Sequence, residues 1–273
     1  DASVLLRFFY HVPVFRKVFH RIAGKKLFTT FGGRLKFFGI GGAKLDPETD
    51  RFLKEGRFPY SIGYGMTETA PLLSGTRPSA VKIQSAGRPV VGMELKINAP
   101  DPETGIGEIW AKGANVMQGY YKEPEITAQV MMPGGWFRTG DLGIFDKDGY
   151  LFIKGRLKNV ILGASGENIY PEEIESVINR YQYVLESVVV EQKGKLVALV
   201  HFNYDELEKQ FAQFKDDARR LAEQKIEEMK AELQQFVNSQ VNRYSRLQLI
   251  IIQDAPFEKT ATKKIKRFLY QKS

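Results

Sequence analysis

The apolar positions change their period along the chain. From residue 4 to residue 31 they recur at Leu5, Phe8, Val12, Phe15, Phe19 and Ile22. That three-to-four spacing predicts a helix, with an interruption near Pro13. Leu35–Ile40 then reads as a short buried strand running into Gly41-Gly42-Ala43. A helix is expected from Pro47 to Gly56, capped by Asp46 with Glu48 in its first turn. Tyr60–Tyr64 is another strand-like run, ending in Gly65-Met66-Thr67-Glu68. Strand, glycine loop, helix, strand, glycine loop is the rhythm of an α/β layer, in which ligands sit beyond the carboxyl ends of parallel strands.

From about Val81 the pattern shortens to strands separated by turns: Met93–Ile97, Gly107–Lys112, Gly134–Phe137 and Asp141–Ile153, the last folded back at Asp146-Lys147-Asp148-Gly149. Asp-Gly between alternating apolar runs predicts a hairpin, and the whole predicts a small antiparallel β unit or barrel. Gly155–Asn159 reads as a joint between two domains. Beyond it come the glycine-punctuated loop Gly163–Gly166 and a helix from Pro171 to about Arg180, its first turn carrying Glu172 and Glu173. Two strands, Val184–Val190 and Leu196–Phe202, meet at Lys193-Gly194. One long amphipathic helix is expected from Asp205 to about Val237, with Leu207, Phe211, Phe214, Ala218, Leu221, Met229, Leu233 and Val237 as its stripe. Leu247–Ile252 is a last strand, and Pro256–Arg267 a basic loop leading to a short helix. The expected organisation is a large domain over residues 1–157, with an α/β part over 1–80 and a β-barrel part over 81–157, and a small α+β domain over 158–273.

The 273 residues contain ample apolar content for two cores and carry a net charge of +8, which attracts anions: nucleotide, coenzyme A, nucleic acid or an acidic membrane surface. There is no cysteine, which removes thiolate and disulfide chemistry and fits the cytoplasm, and His11, His20 and His201 are too scattered for a metal cluster. No signal peptide or run of about eighteen apolar residues occurs. The chain starts at Asp1 inside an amphipathic pattern, so it is expected to be a piece of something longer. Residues 7–26 present Arg7, Arg16, Lys17, Arg21, Lys25 and Lys26. Such a face offers peripheral contact with the inner face of the membrane. A plain surface helix of the α/β layer is the alternative and the favoured reading.

The glycine loops at Gly41–Ala43 and Gly63–Gly65 suit close approach of backbone to a flat or phosphorylated ligand. Thr67 and Glu68 add a hydroxyl and a carboxylate at one strand end, a pair able to hold a phosphate oxygen and its Mg²⁺. Asp141 follows Thr139-Gly140 on a turn and is a candidate for a ribose diol, since a carboxylate accepts two hydrogen bonds. Arg156 is a candidate for phosphate or ribose. The cluster Lys263-Lys264-Ile265-Lys266-Arg267 by itself reads equally as a solvated basic face.

In series these stretches are more specific. YGMTE at 64–68, GWFRTGD at 135–141, GRLKNVI at 155–161, GENIYPEEIE at 166–175 and FEKTATKKIKR at 257–267 occur in this order. The series resembles the adenylate-forming enzymes, and FEKTATKKIKR with the basic VFRKVFHRIAGKKL start resembles most the bacterial AMP-forming long-chain fatty acyl-CoA synthetases. The resemblance spans essentially the whole chain. It implies the C-terminal part of a large adenylating domain, an α/β layer plus a small β-barrel, followed by a small, mobile α+β lid. It also implies ATP or AMP, Mg²⁺ and coenzyme A as ligands and a long-chain fatty acid as substrate; no nucleic-acid partner is expected, because no aromatic-basic interleaving of a nucleic-acid module occurs. Gly41, Gly42, Ala43, Tyr64 and Gly65 would line the adenine, Thr67 the α-phosphate and Glu68 the Mg²⁺, with Asp141 on the ribose hydroxyls and Arg156 close by. Lys264 would touch carboxylate and α-phosphate, Lys158 would be the hinge, and Gly163 and Gly166 would line the pantetheine channel. Lys263 stands where the family's K-T-x-x-G-K motif has glycine, so Lys264 is chosen over Lys263 by register. The family's phosphate loop, ending Pro-Lys-Gly, has no counterpart. This stretch alone is therefore expected to have little ligase activity, to expose apolar surface and to self-associate. Two other readings are transfer of the acyl group to a carrier protein and a non-catalytic basic interaction module, whose binding would weaken steeply with salt.

Overall fold

The computed structural model describes residues 12–163, 166–210, 218–261 and 263–271. The chain divides into two compact units, Asp1–Lys154 and Gly155–Ser273.

The first unit opens with helix α1, Pro13–Thr30, and Pro13 occupies its first turn, where a missing N–H costs nothing. Pro13 starts this helix, and Leu5, Arg7 and Phe8, which precede the expected interruption, lie outside the described residues. The packed face of α1 also differs from the expected stripe. His20 and Gly24 are its buried residues, while Val14, Phe15, Val18, Phe19 and Ile22 are exposed. Two contacts explain the reversal. Arg16 donates to both carboxylate oxygens of Glu55 at 3.1 and 2.9 Å, with His20 Nδ1 2.8 Å from Glu55 Oε2. A Cβ on Gly24 would lie 2.5 Å from the Gly56 carbonyl oxygen, so the two backbones touch only because neither residue has a side chain there.

Strand β1, Phe38–Ile40, pairs in parallel with β2, Tyr60–Ile62, and helix α2, Pro47–Glu55, crosses between them. Asp46 caps α2 as expected, accepting from the N–H groups of Glu48 at 2.9 Å and Thr49 at 2.8 Å. Leu53, Phe58, Tyr60, Ile62 and Val81 form the core of this layer. Asp50 is fully buried inside it and stays satisfied by the Tyr60 hydroxyl and by the Gln84 N–H at 2.6 Å. Burial, and then this carboxylate, push the Tyr60 hydroxyl far above its ordinary pKa.

Three short strands follow, β3 (Tyr64–Gly65), β4 (Leu72–Gly75) and β5 (Arg88–Pro89), joined in the order β3-β4-β5. A five-stranded sheet then takes the region expected for the small barrel. Its strands are β6 (Met93–Asn98), β7 (Gly107–Gly113), β8 (Met131–Met132), β9 (Trp136–Phe145) and β10 (Leu151–Arg156), in the order β10-β9-β7-β6 with β8 on β9. Helix α3, Pro124–Val130, leads into β8. The Asp146–Gly149 turn forms where the sequence places it, with Asp146 accepting from the N–H groups of Asp148 and Tyr150.

In the second unit a two-stranded ribbon, β11 (Ile161–Leu162) with β12 (Asn168–Ile169), precedes helix α4, Pro171–Ile178. Strands β13 (Val184–Gln192) and β14 (Lys195–Phe202) form the expected hairpin, and β15 (Leu249–Ile252) adds to β14 in parallel. The long helix expected from Asp205 to Val237 is instead two helices, α5 (Tyr204–Gln210) and α6 (Ala218–Gln240), with Phe211 and Phe214 outside the described residues. The helices fold back on each other: the Arg219 guanidinium lies 4.1 Å from the Tyr204 ring centroid and bonds Glu208 at 3.1 Å. Fifteen residues of continuous helix would hold Tyr204 and Arg219 about 22 Å apart. The apolar stripe is real, but it is shared by two antiparallel rods that bury Leu207, Ala222, Ile226 and Leu233 in one core with Ile174, Val200 and Phe202.

The backbone contact at Gly24 makes a first prediction. Gly24→Ala forces α1 off Gly56 and is expected to destabilise the protein by about 1–3 kcal/mol, read as a lowered denaturant midpoint; an unchanged midpoint contradicts the packing. The Glu55 carboxyl supplies a second. Hydrogen bonding from Arg16, against the opposing effect of burial, holds its pKa below the usual value. Its contribution is therefore complete above the ordinary carboxylate pKa of about 4.3 and disappears as pH falls through the depressed folded value. Glu55→Gln should flatten the fall of stability on acidification below that pH, measured by denaturant titration across the acid range.

Candidate functional site

A cleft of about 670 Å³ opens in the first unit, a volume suited to a small organic ligand. Its floor comes from the ends of β1 and β2. Gly41 and Gly42 follow β1, and Gly63, Tyr64 and Gly65 follow β2. The parallel pair sends both glycine loops out at the same carboxyl end, where the α/β rule puts ligands. Gly42 has φ of +84° and would meet no atom within 4 Å if it carried a Cβ, so its backbone faces open space. Gly65 is glycine for another reason: a Cβ there would overlap the Pro71 carbonyl oxygen at 1.6 Å. Arg77 and Arg88 bring two cations to the lining, and the Arg88 guanidinium stacks 4.7 Å from the Tyr150 ring centroid. Glycine walls with two guanidinium groups fit a phosphorylated, flat ligand.

Four of the expected residues, Gly41, Gly42, Tyr64 and Gly65, line this cleft; Ala43 is exposed just beyond it on the same loop. Asp141 is joined to the lining through one hydrogen bond, donated by the Tyr64 hydroxyl to its Oδ2 at 2.8 Å. Asp141 is buried, and its N–H is held by Thr139 Oγ1 at 3.1 Å; that hydroxyl itself donates to the Ile109 carbonyl at 2.7 Å. The carboxylate is thus met by Tyr64 of β3, while Thr139 fixes the Asp141 backbone within β9. Thr67 and Glu68 sit in a short 3₁₀ turn after β3, Thr67 exposed and Glu68 half-buried.

Several neighbours have no sequence signature. The Tyr120 hydroxyl donates to Glu68 Oε1 at 3.0 Å, and burial together with that carboxylate raises its pKa. The Asn115 amide donates to the Thr69 carbonyl at 2.6 Å and to that of Leu72 at 2.9 Å, which closes the 67–72 loop. Tyr120 lies in a run of ordinary strand-to-helix sequence, and nothing in its spacing marks it. Among the described residues no group of three His, Cys, Asp or Glu is placed to hold a metal ion. A Mg²⁺ at Glu68 would be one that arrives with phosphate oxygens, as this ion prefers.

The remaining expected residues belong to the second unit. Arg156 ends β10, and Lys158 is exposed in the 3₁₀ turn Leu157–Asn159, which Asn159 ties to Glu172 through a 2.6 Å hydrogen bond. Gly163 and Gly166 close the next turn through a Gly166 N–H to Gly163 carbonyl bond of 2.9 Å, with Gly166 at φ +88°; Ala164 and Ser165 lie outside the described residues. Lys264 is exposed at the end of a tight turn, where the Thr260 N–H bonds its carbonyl at 2.8 Å and its own N–H reaches Thr260 Oγ1 at 3.2 Å. Lys263 has φ of +63°, in the left-handed region. That conformation favours glycine, which is the residue the resembling motif carries there.

Comparison with known proteins follows the same lines. Residues 6–121 match the AMP-binding enzyme family. The chain is 42% identical over 166 residues to the sulfoacetate–CoA ligase of Cupriavidus necator, covering 57% of this chain and 32% of that protein. It is 34% identical over 173 residues to the long-chain-fatty-acid–CoA ligase FadD15 of Mycobacterium tuberculosis, covering 63% of this chain and 28% of the relative. Its fold superposes on the O-succinylbenzoate coenzyme A synthetase of Bacillus subtilis in complex with AMP, with a TM-score of 0.71 and 26% identity, over 88% of this chain and 46% of that one. Another structure of that synthetase holds ATP and a magnesium ion. The chain thus spans about a third of the curated relatives and just under half of the solved structure.

The left-handed Lys263 carries a prediction. Lys263→Gly relieves a backbone conformation that costs a side-chain-bearing residue roughly 1–2 kcal/mol, partly offset by the greater freedom of glycine in the unfolded chain. The variant should melt at a higher temperature than the parent; a lower melting temperature contradicts the turn. In its match over residues 6–121, in its parallel-strand topology and in its glycine-lined cleft, the chain is similar to the AMP-binding enzymes.

Proposed function

We propose that this chain is the nucleotide-and-lid portion of an ATP-dependent carboxylate–CoA ligase acting on a long-chain fatty acid. The observation that carries the reading is the cleft in which Gly41, Gly42 and Gly65 bring backbone to one face while Tyr64 holds the buried Asp141 beside it. Adenine fits against the glycine loops, and Asp141 accepts from the ribose hydroxyls with its orientation fixed by Tyr64 and Thr139. Thr67 meets the α-phosphate, and Tyr120 aims Glu68 at the metal that comes with the nucleotide. Mg²⁺ supplies charge neutralisation on the phosphates. In the first half-reaction a carboxylate oxygen bonds to the α-phosphorus and the bond to pyrophosphate breaks. In the second, the coenzyme A sulfur bonds to the acyl carbon, its proton is lost, and AMP departs with the former carboxylate oxygen.

The first step gathers negative charge on phosphorus and needs placed cations more than it needs a base. Lys264 suits it, an exposed ammonium on a long stem rising from a turn the backbone holds closed. Arg156 lies near the ribose, Lys158 is the hinge about which residues 158–273 turn, and Gly163 and Gly166 line the pantetheine path in the second step. The long-chain assignment is supported by the FEKTATKKIKR stretch and by the Mycobacterium relative, whose name specifies that acid.

The test is carboxylate-dependent ATP–pyrophosphate exchange across acids of increasing length, run on the chain alone and on the chain joined to an N-terminal portion bearing a phosphate loop. Exchange is expected in the joined protein, greatest with long acids and reduced at least 100-fold in Lys264→Ala, with little in the chain alone. Exchange confined to short or aromatic acids overturns the substrate assignment; none with any acid overturns the ligase reading.

A further inference from the structure

Arg267 lies at the end of the basic cluster that the sequence presents as a solvated face, yet its side chain is only 14% exposed. Its guanidinium forks onto Glu175, with Nη1 to Oε1 at 2.6 Å and Nη2 to Oε2 at 2.8 Å, and Nη1 also donates to the Val189 carbonyl at 2.7 Å. Glu175 is held equally from its own side, because its Oε1 accepts the Val189 N–H at 2.6 Å. Burial pushes the Glu175 carboxyl upward, and the Arg267 guanidinium opposes that push. A buried two-point pair fixes direction as well as distance, which a single ammonium cannot do.

The pair joins three pieces of the second unit. Glu175 belongs to α4 and Val189 to β13. Arg267 closes the hairpin that carries Lys264. The two arms of that hairpin bond at Lys266 N–H to Glu258 carbonyl, 2.8 Å, and bridge at Lys259 and Ile265. Phe257, Ile265 and Tyr270 pack the hairpin onto the sheet face formed by Val188, Val190, Val197 and Leu199. At the other arm Lys259 pairs with Glu186 of β13. Lys264 is therefore one of the exposed residues of a turn held between two charged anchors, both seated on β13. The Glu175 helix continues the connection: Glu172, one turn earlier, holds Asn159 of the Leu157–Asn159 turn.

We propose that Arg267 is a positioning residue for Lys264. Through its fork on Glu175 it fixes the base of the hairpin on α4 and β13, so that the ammonium of Lys264 keeps one place relative to the Leu157–Asn159 turn. This inference rests on the reading of Lys264 as the adenylation lysine. It adds that the lysine acts only while Arg267 holds its loop.

The experiment uses Arg267→Lys, which keeps the charge and loses the fork, and Glu175→Gln, which keeps the shape and loses the carboxylate. Both are made in the protein joined to its phosphate-loop portion. Each half-reaction is measured separately: ATP–pyrophosphate exchange for adenylation, and thioester formation from a synthetic fatty acyl-adenylate plus coenzyme A. The expected result is a fall of about 10- to 100-fold in the exchange kcat, with KM for ATP and acid little changed and thioester formation preserved. Amide hydrogen exchange should quicken across residues 258–266 and stay slow in Val197–Val200. Equal loss of both half-reactions would reduce Arg267 to a merely structural part, and unchanged exchange would show it idle; either result overturns the inference. Exchange that survives Lys264→Ala overturns the role of Lys264 and the positioning role with it. Absence of exchange in the unsubstituted protein strikes instead at the ligase reading, on which the inference stands.

Discussion

A strand buried on both faces has to be covered twice, and β14 is such a strand. Every residue from Leu196 to Phe202 is buried. Ala198, Val200 and Phe202 face the core shared with α4, α5 and α6, while Val197 and Leu199 face Phe257. Helices supply the first cover. The second is supplied by the Phe257–Tyr270 segment, whose described residues form an antiparallel bridge at Lys259 and Ile265 and a 3₁₀ turn at Arg267–Leu269. Leaving Val188, Val190, Val197 and Leu199 in water would forfeit roughly 1.5–3 kcal/mol for each side chain, so the loop is pinned even though its sequence is mostly polar and basic. The aromatic pair Phe257–Tyr270, with ring centroids 5.0 Å apart, and the Tyr270 hydroxyl bond to the Glu258 N–H at 2.8 Å clamp its ends together. Once the loop is bound to the sheet, Arg267 is largely removed from water and is matched by the Glu175 carboxylate, with Glu172 at 3.9 Å.

The first unit obeys a different constraint, the close approach of backbone to backbone. Gly24 against Gly56, Gly65 against Pro71 and Gly87 against Gly75 are contacts that a single added carbon would break, the last with a Cβ only 2.2 Å from the Gly75 carbonyl carbon. Such contacts draw short, two- to four-residue strands into a small sheet and leave the ends of β1 and β2 open side by side. The cleft is the space those ends do not fill. Six glycines are among its lining residues, together with Arg77, Arg88 and Tyr64, whose hydroxyl reaches Asp141.

This division explains how much was legible in the sequence. Strands with turn signals were legible: the Asp146–Gly149 hairpin and the Lys193-Gly194 hairpin form where the residues demand them, since Asp and Gly report local backbone needs. Periodicity was less sufficient. It gave the helical character of 204–240 but could not tell one rod from two folded together, because a stripe is the same whether the chain continues or doubles back. In α1 it gave the helix and the wrong buried face, since the Arg16–Glu55 fork and the glycine contact carry no apolar signal. In the site, residues within motifs were legible by type, and their partners were not. Tyr120, Asn115 and Glu175 act across 52, 46 and 92 residues of sequence, a separation over which no local pattern extends.

Arg267 shows the same limit from the opposite side. A run of five residues containing four cations, read alone, is a hydrated surface, and net charge would rate all four alike. The fold separates them by the side of the hairpin on which each falls. Ile265 packs inward and Lys264 points outward, as strand-like alternation requires. Lys263 takes the left-handed turn, and Arg267 reaches under the loop to the one buried carboxylate there. The exposed ammonium of Lys264 therefore stands on a base fixed by a largely buried guanidinium. On the proposed reading, this is what an intermittent catalytic charge requires. A lysine that must arrive for one step and leave for the next can move with the whole unit, provided its own loop does not move within it.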